Sequence, residues 1–279
     1  MHGSQLQFKF IATDCLFYSI RGVQMTEERK SFLIGQTLNS GVEPISVRFS
    51  PIRYCYGKEL MALRTEQIIN SVVVGVMGAE QYRYIADTSD QGERLALRNL
   101  EYVMDTIEAL VASGTELEWV SLYVPPRMVC GTDICKTLRD KIEQRGFGYP
   151  EKICLEMPRQ ILFEDVNVLR ETLLDLKLIG IKSMLWGFGD EFTPAMRLSQ
   201  LQFDYVTLDS DITPKMASRN TDRITRAAIA YVRSVLSEVI VQAQAEDPVI
   251  DKFRSADCKG FIDTKAPPST LEEALGQVR

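Results

Sequence analysis

The stretch Trp119-Val120-Ser121-Leu122-Tyr123-Val124 decides the fold. It is almost continuously apolar, of strand length, and rich in β-branched and aromatic residues. A strand buried on both faces reads this way, and strands of that kind build parallel sheets. The five runs that follow repeat the pattern, at residues 152–157, 183–186, 205–209, 238–242 and 259–262. Two more lie upstream, at 45–52 and 59–64. Helical periodicity fills most of the intervals. Residues 92–112 carry it best, with Leu95, Leu100, Val103, Met104, Ile107 and Leu110 on one face. Further helices are expected at 133–145, 163–178, 219–236 and 270–278. Ser269 or Thr270 is placed to cap the last, and Gly146 and Gly180 stand where helices should stop.

Eight strands alternating with helices predict an α/β fold, a (βα)8 barrel. The rival is an open doubly wound sheet, but no G-x-G-x-x-G follows an early strand. Alternating apolar residues between Gln5 and Arg21 suggest a short N-terminal β extension. The expected division is therefore a hairpin-like segment over 1–28 and a barrel over 29–279.

The 279 residues hold 32 basic and 38 acidic side chains, a net charge of −6. That argues against a nucleic acid polymer as partner, since phosphate binding needs a basic footprint. The single histidine, His2, excludes a Ser-His-Asp triad, a Cys-His pair and a His-rich zinc site. The six cysteines form no C-x-x-C pair, which predicts reduced thiols in a cytoplasmic protein. The apolar stretch at 68–77 contains Asn70 and Ser71 and is too short to span a bilayer.

Several segments, in order, resemble the EAL domain, the bacterial phosphodiesterase that linearises cyclic di-GMP. Phe49-Ser50-Pro51-Ile52 is similar to that family's opening Tyr-Gln-Pro-Ile. Gly57-Lys58-Glu59-Leu60-Met61-Ala62-Leu63-Arg64 lies where the Glu-Ala-Leu signature and its arginine belong. Val120 to Arg127 resembles the strand whose metal-binding asparagine precedes Ser-Pro-Arg, and Ile153-Cys154-Leu155-Glu156 resembles Leu-Glu-Ile-Thr-Glu. Leu185 to Gly189 falls at Asp-Asp-Phe-Gly. Phe203 to Asp209 is similar to the strand reading Leu-Lys-Ile-Asp, and Lys259-Gly260-Phe261 to the closing Gln-Gly-Tyr. The resemblance implies a modified TIM barrel whose first strand runs antiparallel.

It also implies a site. In active members, carboxylates at the strand ends hold Mg²⁺ or Mn²⁺, hard cations that need several oxygen ligands. Carried over residue by residue, the signature glutamate falls at Glu59 or Met61, the latter register needing no extra residue. Tyr123 replaces the asparagine. Glu156 is retained, and the second glutamate of its strand becomes Arg159. Trp186 and Gly187 replace the paired aspartates, Thr207 the lysine, Ala245 a late glutamate and Lys259 the final glutamine. Asp190 and Glu191 could supply the missing pair only in a shifted register. Arg64 remains as a phosphate-binding candidate or a paired charge.

These losses imply a catalytically inactive domain with no cofactor, Mg²⁺ or Mn²⁺ entering only with residual activity. The expected role is a protein-interaction regulator in bacterial cyclic di-GMP-related signalling. A metal-independent cyclic di-GMP receptor is the alternative, a residual phosphodiesterase a third reading, and a homodimer is an assembly open to it. Lys259 is expected to neutralise Glu156.

Overall fold

The computed structural model describes residues 27–39, 45–57, 59–71, 75–131, 133–190, 193–217 and 221–277. The hairpin expected between Gln5 and Arg21 lies outside them. The strands are β1 (Ile45–Tyr54), β2 (Leu60–Ser71), β3 (Gly75–Met77), β4 (Trp119–Tyr123), β5 (Ile153–Pro158), β6 (Lys182–Phe188), β7 (Tyr205–Leu208), β8 (Glu238–Ala243) and β9 (Gly260–Asp263). They run in the order β1-β9-β8-β7-β6-β5-β4-β2, and β1–β2 pairing closes the ring. β1 is antiparallel to both neighbours, whereas β2 and β4 to β9 are parallel. The predicted barrel with a reversed first strand is the observed one.

The helices are α1 (Glu27–Asn39), α2 (Ala79–Ala86), α3 (Asp90–Ala112), α4 (Pro126–Gly131), α5 (Ile134–Arg145), α6 (Val166–Leu178), α7 (Ala195–Leu198), α8 (Asp222–Ser234), α9 (Asp247–Ser255) and α10 (Leu271–Gly276). Their apolar stripes pack outside the sheet. Leu100, Val103, Met104 and Ile107 of α3 share one buried cluster with Leu122 and Leu155 from the strands. A second cluster, including Ile52, Met61, Trp119, Cys154, Met184, Tyr205 and Ile240, fills the barrel interior. Thr270 caps α10, its hydroxyl accepting from the Glu273 N–H, and Gly146 ends α5 in the left-handed region.

Three features depart from expectation. β2 continues seven residues past 64 and turns back through β3, pairing Ile69 with Met77. Residues 69–71 and 75–77 thus form an antiparallel pair, which an apolar run alone does not distinguish from a single strand. Helices α1, α2, α4, α7 and α9 were not expected; α1, α4, α7 and α9 are short or weakly patterned. The boundary between residues 28 and 29 falls within α1.

Candidate functional site

Seven parallel strands aim their C-terminal ends at one side of the barrel. A cleft of about 1070 Å³ opens there, lined among others by Arg83, Tyr123, Arg159, Trp186, Asp209 and Gln242. Ligand sites of β/α barrels form at this end, because the loops that follow each strand converge on it.

Glu156 lies beneath the cleft on β5, with no exposed surface. Both of its oxygens accept from one guanidinium: Arg64 Nε donates to Oε2 at 2.7 Å and Nη2 to Oε1 at 2.8 Å. This parallel, charge-assisted geometry is the strong form of the ion pair. Burial pulls the Arg64 guanidinium down, but Glu156 and Glu66 outweigh it and hold it above its ordinary value. Trp186 lies against the other side, with its ring centroid 3.9 Å from the guanidinium carbon. The half-buried indole also lines the cleft, and leaves it open.

A second cation approaches from α2. Arg83 Nη1 is 3.9 Å from Glu156 Oε1, and its guanidinium sits 3.7 Å over the Tyr123 ring. The Tyr123 hydroxyl donates to Asp87 Oδ2 at 2.5 Å. Burial pushes the Asp87 carboxyl above its usual range, against the opposing pull of Tyr123 and Arg83. Burial and Asp87 raise the Tyr123 phenol.

Arg159 makes a further pair of bridges at the rim, 2.6 Å to Asp209 and 3.1 Å to Asp190. It ties the segment after β6 to the end of β7. Asp190 therefore has its own partner, and Glu191 lies outside the described residues.

Gly187 and Thr207 serve the backbone. β6 and β7 slip register between Leu185 and Phe188. The slip leaves ladder groups without their regular partners, a cost the chain must meet locally. The fully buried Thr207 hydroxyl meets it, accepting from the Gly187 N–H at 3.0 Å and donating to the Leu185 carbonyl. Gly187 has φ +80°, a conformation that favours glycine.

The other expected site residues lie elsewhere. Glu59 is exposed just before β2, and Met61 is fully buried at the start of that strand. Both belong to the N-terminal end of the barrel. The pairing of β1 with β2 jumps from Ile52↔Ala62 to Arg53↔Leu60, leaving Met61 as an extra, bulged residue. The β2 side chain that meets Glu156 is Arg64. Lys259 precedes β9, also at the N-terminal end. Its ammonium lies 2.8 Å from Glu118, so the expected Lys259–Glu156 pair is not formed. The physical reason is position, since the two residues stand at opposite ends of parallel strands. Glu118 also accepts from Tyr54 at 2.7 Å and Tyr205 at 2.5 Å. Ala245 lies past the end of β8, its N–H directed at Asp263; Gln242 is the β8 residue lining the cleft.

The donor set does not fit a divalent metal. Among the described residues, no group of three or more His, Cys, Asp or Glu side chains is placed to hold one. Glu156, the acid here with no exposed surface, already has both oxygens on Arg64, and Asp209 at the end of β7 is taken by Arg159. The thiols offer no substitute: burial lifts Cys55 to about 12 and Cys130 and Cys135 to about 11, away from the thiolate a metal needs.

The profile of the EAL domain family matches residues 42–261. The chain belongs to the EAL domain family. Solved EAL structures share its fold at low identity. The MucR phosphodiesterase in complex with cyclic di-GMP superposes with a TM-score of 0.75 at 12% identity, over 88% of this chain and 98% of that one. The FimX EAL domain of Pseudomonas aeruginosa bound to cyclic di-GMP gives 0.71 at 12%, over 86% and 96%. An uncharacterized protein of Mycobacterium tuberculosis is 23% identical over 133 residues, 46% of this chain. The chain matches about a fifth of the length of such curated relatives, 21%. No helix among the described residues is long and apolar enough to cross a membrane.

Sequence reading missed Arg83, Asp87, Glu118 and Gln242. The first two flank the end of α2, which β3 introduces, and neither element was expected. Glu118 sits one residue before a strand and carries no motif. Gln242 ends a predicted strand, and that position was the available signal.

Proposed function

We propose that this EAL domain is catalytically inactive and acts as a protein-interaction regulator in bacterial cyclic di-GMP-related signalling. One observation carries the first half: the Arg64 guanidinium occupies both oxygens of Glu156, the acid with no exposed surface beneath the cleft. A cation supplied by the chain stands where the family's chemistry needs one supplied by solvent. A divalent ion would have to displace a buried, bidentate arginine and then find further oxygen ligands. The regulatory half follows from a retained fold around a site that cannot assemble the family's metals. The test is incubation with cyclic di-GMP and Mn²⁺ over hours at high enzyme concentration. No linear product is expected, and turnover abolished by Glu156→Gln would overturn the reading. Capture of an interacting protein that is lost on disrupting a surface patch, and not on Glu156→Gln, supports the regulatory role.

The open cleft favours a second reading, a metal-independent cyclic di-GMP receptor. Arg83, Arg127 and Arg159 line it together with Tyr84, Tyr123 and Trp186, giving cations for phosphates and rings for bases. The relatives solved with cyclic di-GMP bound lend it support. Calorimetry decides: saturable heat without added metal, reduced by Arg83→Ala, establishes a receptor, and no heat at high micromolar ligand removes it.

A further inference from the structure

Beside Tyr123 lies a small space between α2, α3 and the strands β2 and β4. Its walls include Thr65, Gln67, Arg83, Asp87, Asn99 and Tyr123, and its volume is about 10 Å³. That is the least space that admits one water molecule.

Two of the residues that line this space each carry an oxygen with no donor. Asp87 Oδ1 and Asn99 Oδ1 are both buried and unpartnered, and Asn99 is only 2% exposed. Such atoms are rare in folded proteins and mark either strain or a bound group. Neither side chain can turn to relieve the other. The second Asp87 oxygen already accepts from Tyr123. Asn99 Nδ2 donates to Thr65 Oγ1 at 3.1 Å, and Thr65 Oγ1 gives its own proton to the Ser121 carbonyl at 2.7 Å. Flipping the Asn99 amide would set its oxygen against an oxygen with no proton to give.

We infer that this cavity is the binding site of one structural water, which donates to Asp87 Oδ1 and Asn99 Oδ1 at once. Water has two donors for the two vacant acceptors. A cation would satisfy both oxygens, but the Arg83 guanidinium lines the same space and opposes a second positive charge. The raised Asp87 carboxyl agrees with a buried acid whose second oxygen lacks a protein donor. The water pins Asp87, Asp87 pins the Tyr123 hydroxyl, and the Tyr123 ring supports Arg83 on the cleft wall. The direct Asp87–Tyr123 contact that ties the α2–α3 corner to the cleft is thereby steadied from behind by a solvent molecule.

A crystal structure resolving ordered solvent tests this. A density peak within hydrogen-bond distance of both Oδ1 atoms is expected. Asn99→Leu, of similar volume but without an acceptor, should remove the peak and raise the titration midpoint of the Asp87 carboxyl carbon followed by NMR. Should that variant fail to fold, Asn99→Asp keeps an acceptor: the peak should persist and the Asp87 midpoint should still rise, through like charge. The inference is overturned by an empty cavity, by the two oxygens in direct contact around a shared proton, by a peak with metal-like short contacts, or by an Asp87 midpoint that neither variant moves.

Discussion

Replacing Arg64 with leucine removes the only bidentate partner of an acid that has no exposed surface. Two routes give the size of the effect. Breaking one side of a buried ion pair costs roughly 3–5 kcal/mol, because an uncompensated charge remains. Unit charges about 4 Å apart at an effective dielectric of 20 interact by about 4 kcal/mol. The side chains are 12% and 0% exposed, so solvent does little to soften this. Arg83, 3.9 Å from Oε1 and without bidentate contact, recovers part of the loss. The expected cost is therefore about 3 kcal/mol, read from the urea midpoint at constant slope. Glu156→Leu alone leaves the Arg64 guanidinium with only the looser Glu66 contact at 3.6 Å and should also be destabilising. The double variant should cost well under the sum, since apolar replacement of a whole buried pair is often neutral. If Arg64→Leu costs under about 1 kcal/mol, or the two losses simply add, the guanidinium is not the counterion of Glu156.

Three further outcomes follow from the same geometry. Hydrogen bonds from Lys259, Tyr205 and Tyr54 outweigh burial and hold the Glu118 carboxyl below its ordinary value; its stabilisation is present above about pH 4.5 and lost as pH falls, so Lys259→Met should lower Tm at neutral pH and flatten the acid limb of the Tm–pH curve. Burial and the Glu118 contact raise the Tyr54 and Tyr205 phenols; that stabilisation is present below pH 10 and lost as pH rises, and Tyr54→Phe should flatten the alkaline limb. Leu236 follows α8 at φ +64° with 84% of its surface exposed, so Leu236→Gly should raise stability by about 1 kcal/mol in urea melts, and a loss would mean the leucine has a packing role.

The barrel was legible because parallel strands buried on both faces leave continuous apolar runs, and Trp119–Tyr123 and Ile153–Pro158 carry them plainly. The candidate site was legible only in part. Glu156, Trp186, Gly187, Tyr123 and Thr207 are each fixed by their place on a strand, and strand positions can be counted. Arg64 could be placed in the pocket, but its pairing with Glu156 could not be read, and a one-residue bulge at Met61 obscures the register of β2 before it. A bulge changes no composition and leaves no periodic signal, and Glu59 and Met61 belong to the N-terminal end because β2 begins at Leu60. Arg83 and Asp87 escape for another reason. They reach the cleft through tertiary packing of α2, which no spacing along the chain encodes.

Charge is neutralised from within at both ends of this barrel, and the two ends differ in what that permits. At the N-terminal end, Glu118 and Lys259 are each about a quarter exposed, and two tyrosine hydroxyls complete the carboxylate. Solvent can replace Lys259 at modest cost. At the C-terminal end Glu156 is sealed, and its partner is a guanidinium that cannot lose its proton in any ordinary buffer. An acid held this way cannot serve as a ligand or a base until Arg64 leaves, and Arg64 is held by Glu156 on one side and by Trp186 against the other. The anions that reach this end of the barrel from solvent therefore meet Arg83, Arg127 and Arg159 on the cleft wall first. Those arginines line the cleft with Tyr84, Tyr123 and Trp186, and the buried Arg64–Glu156 pair lies beneath them as a fixed floor.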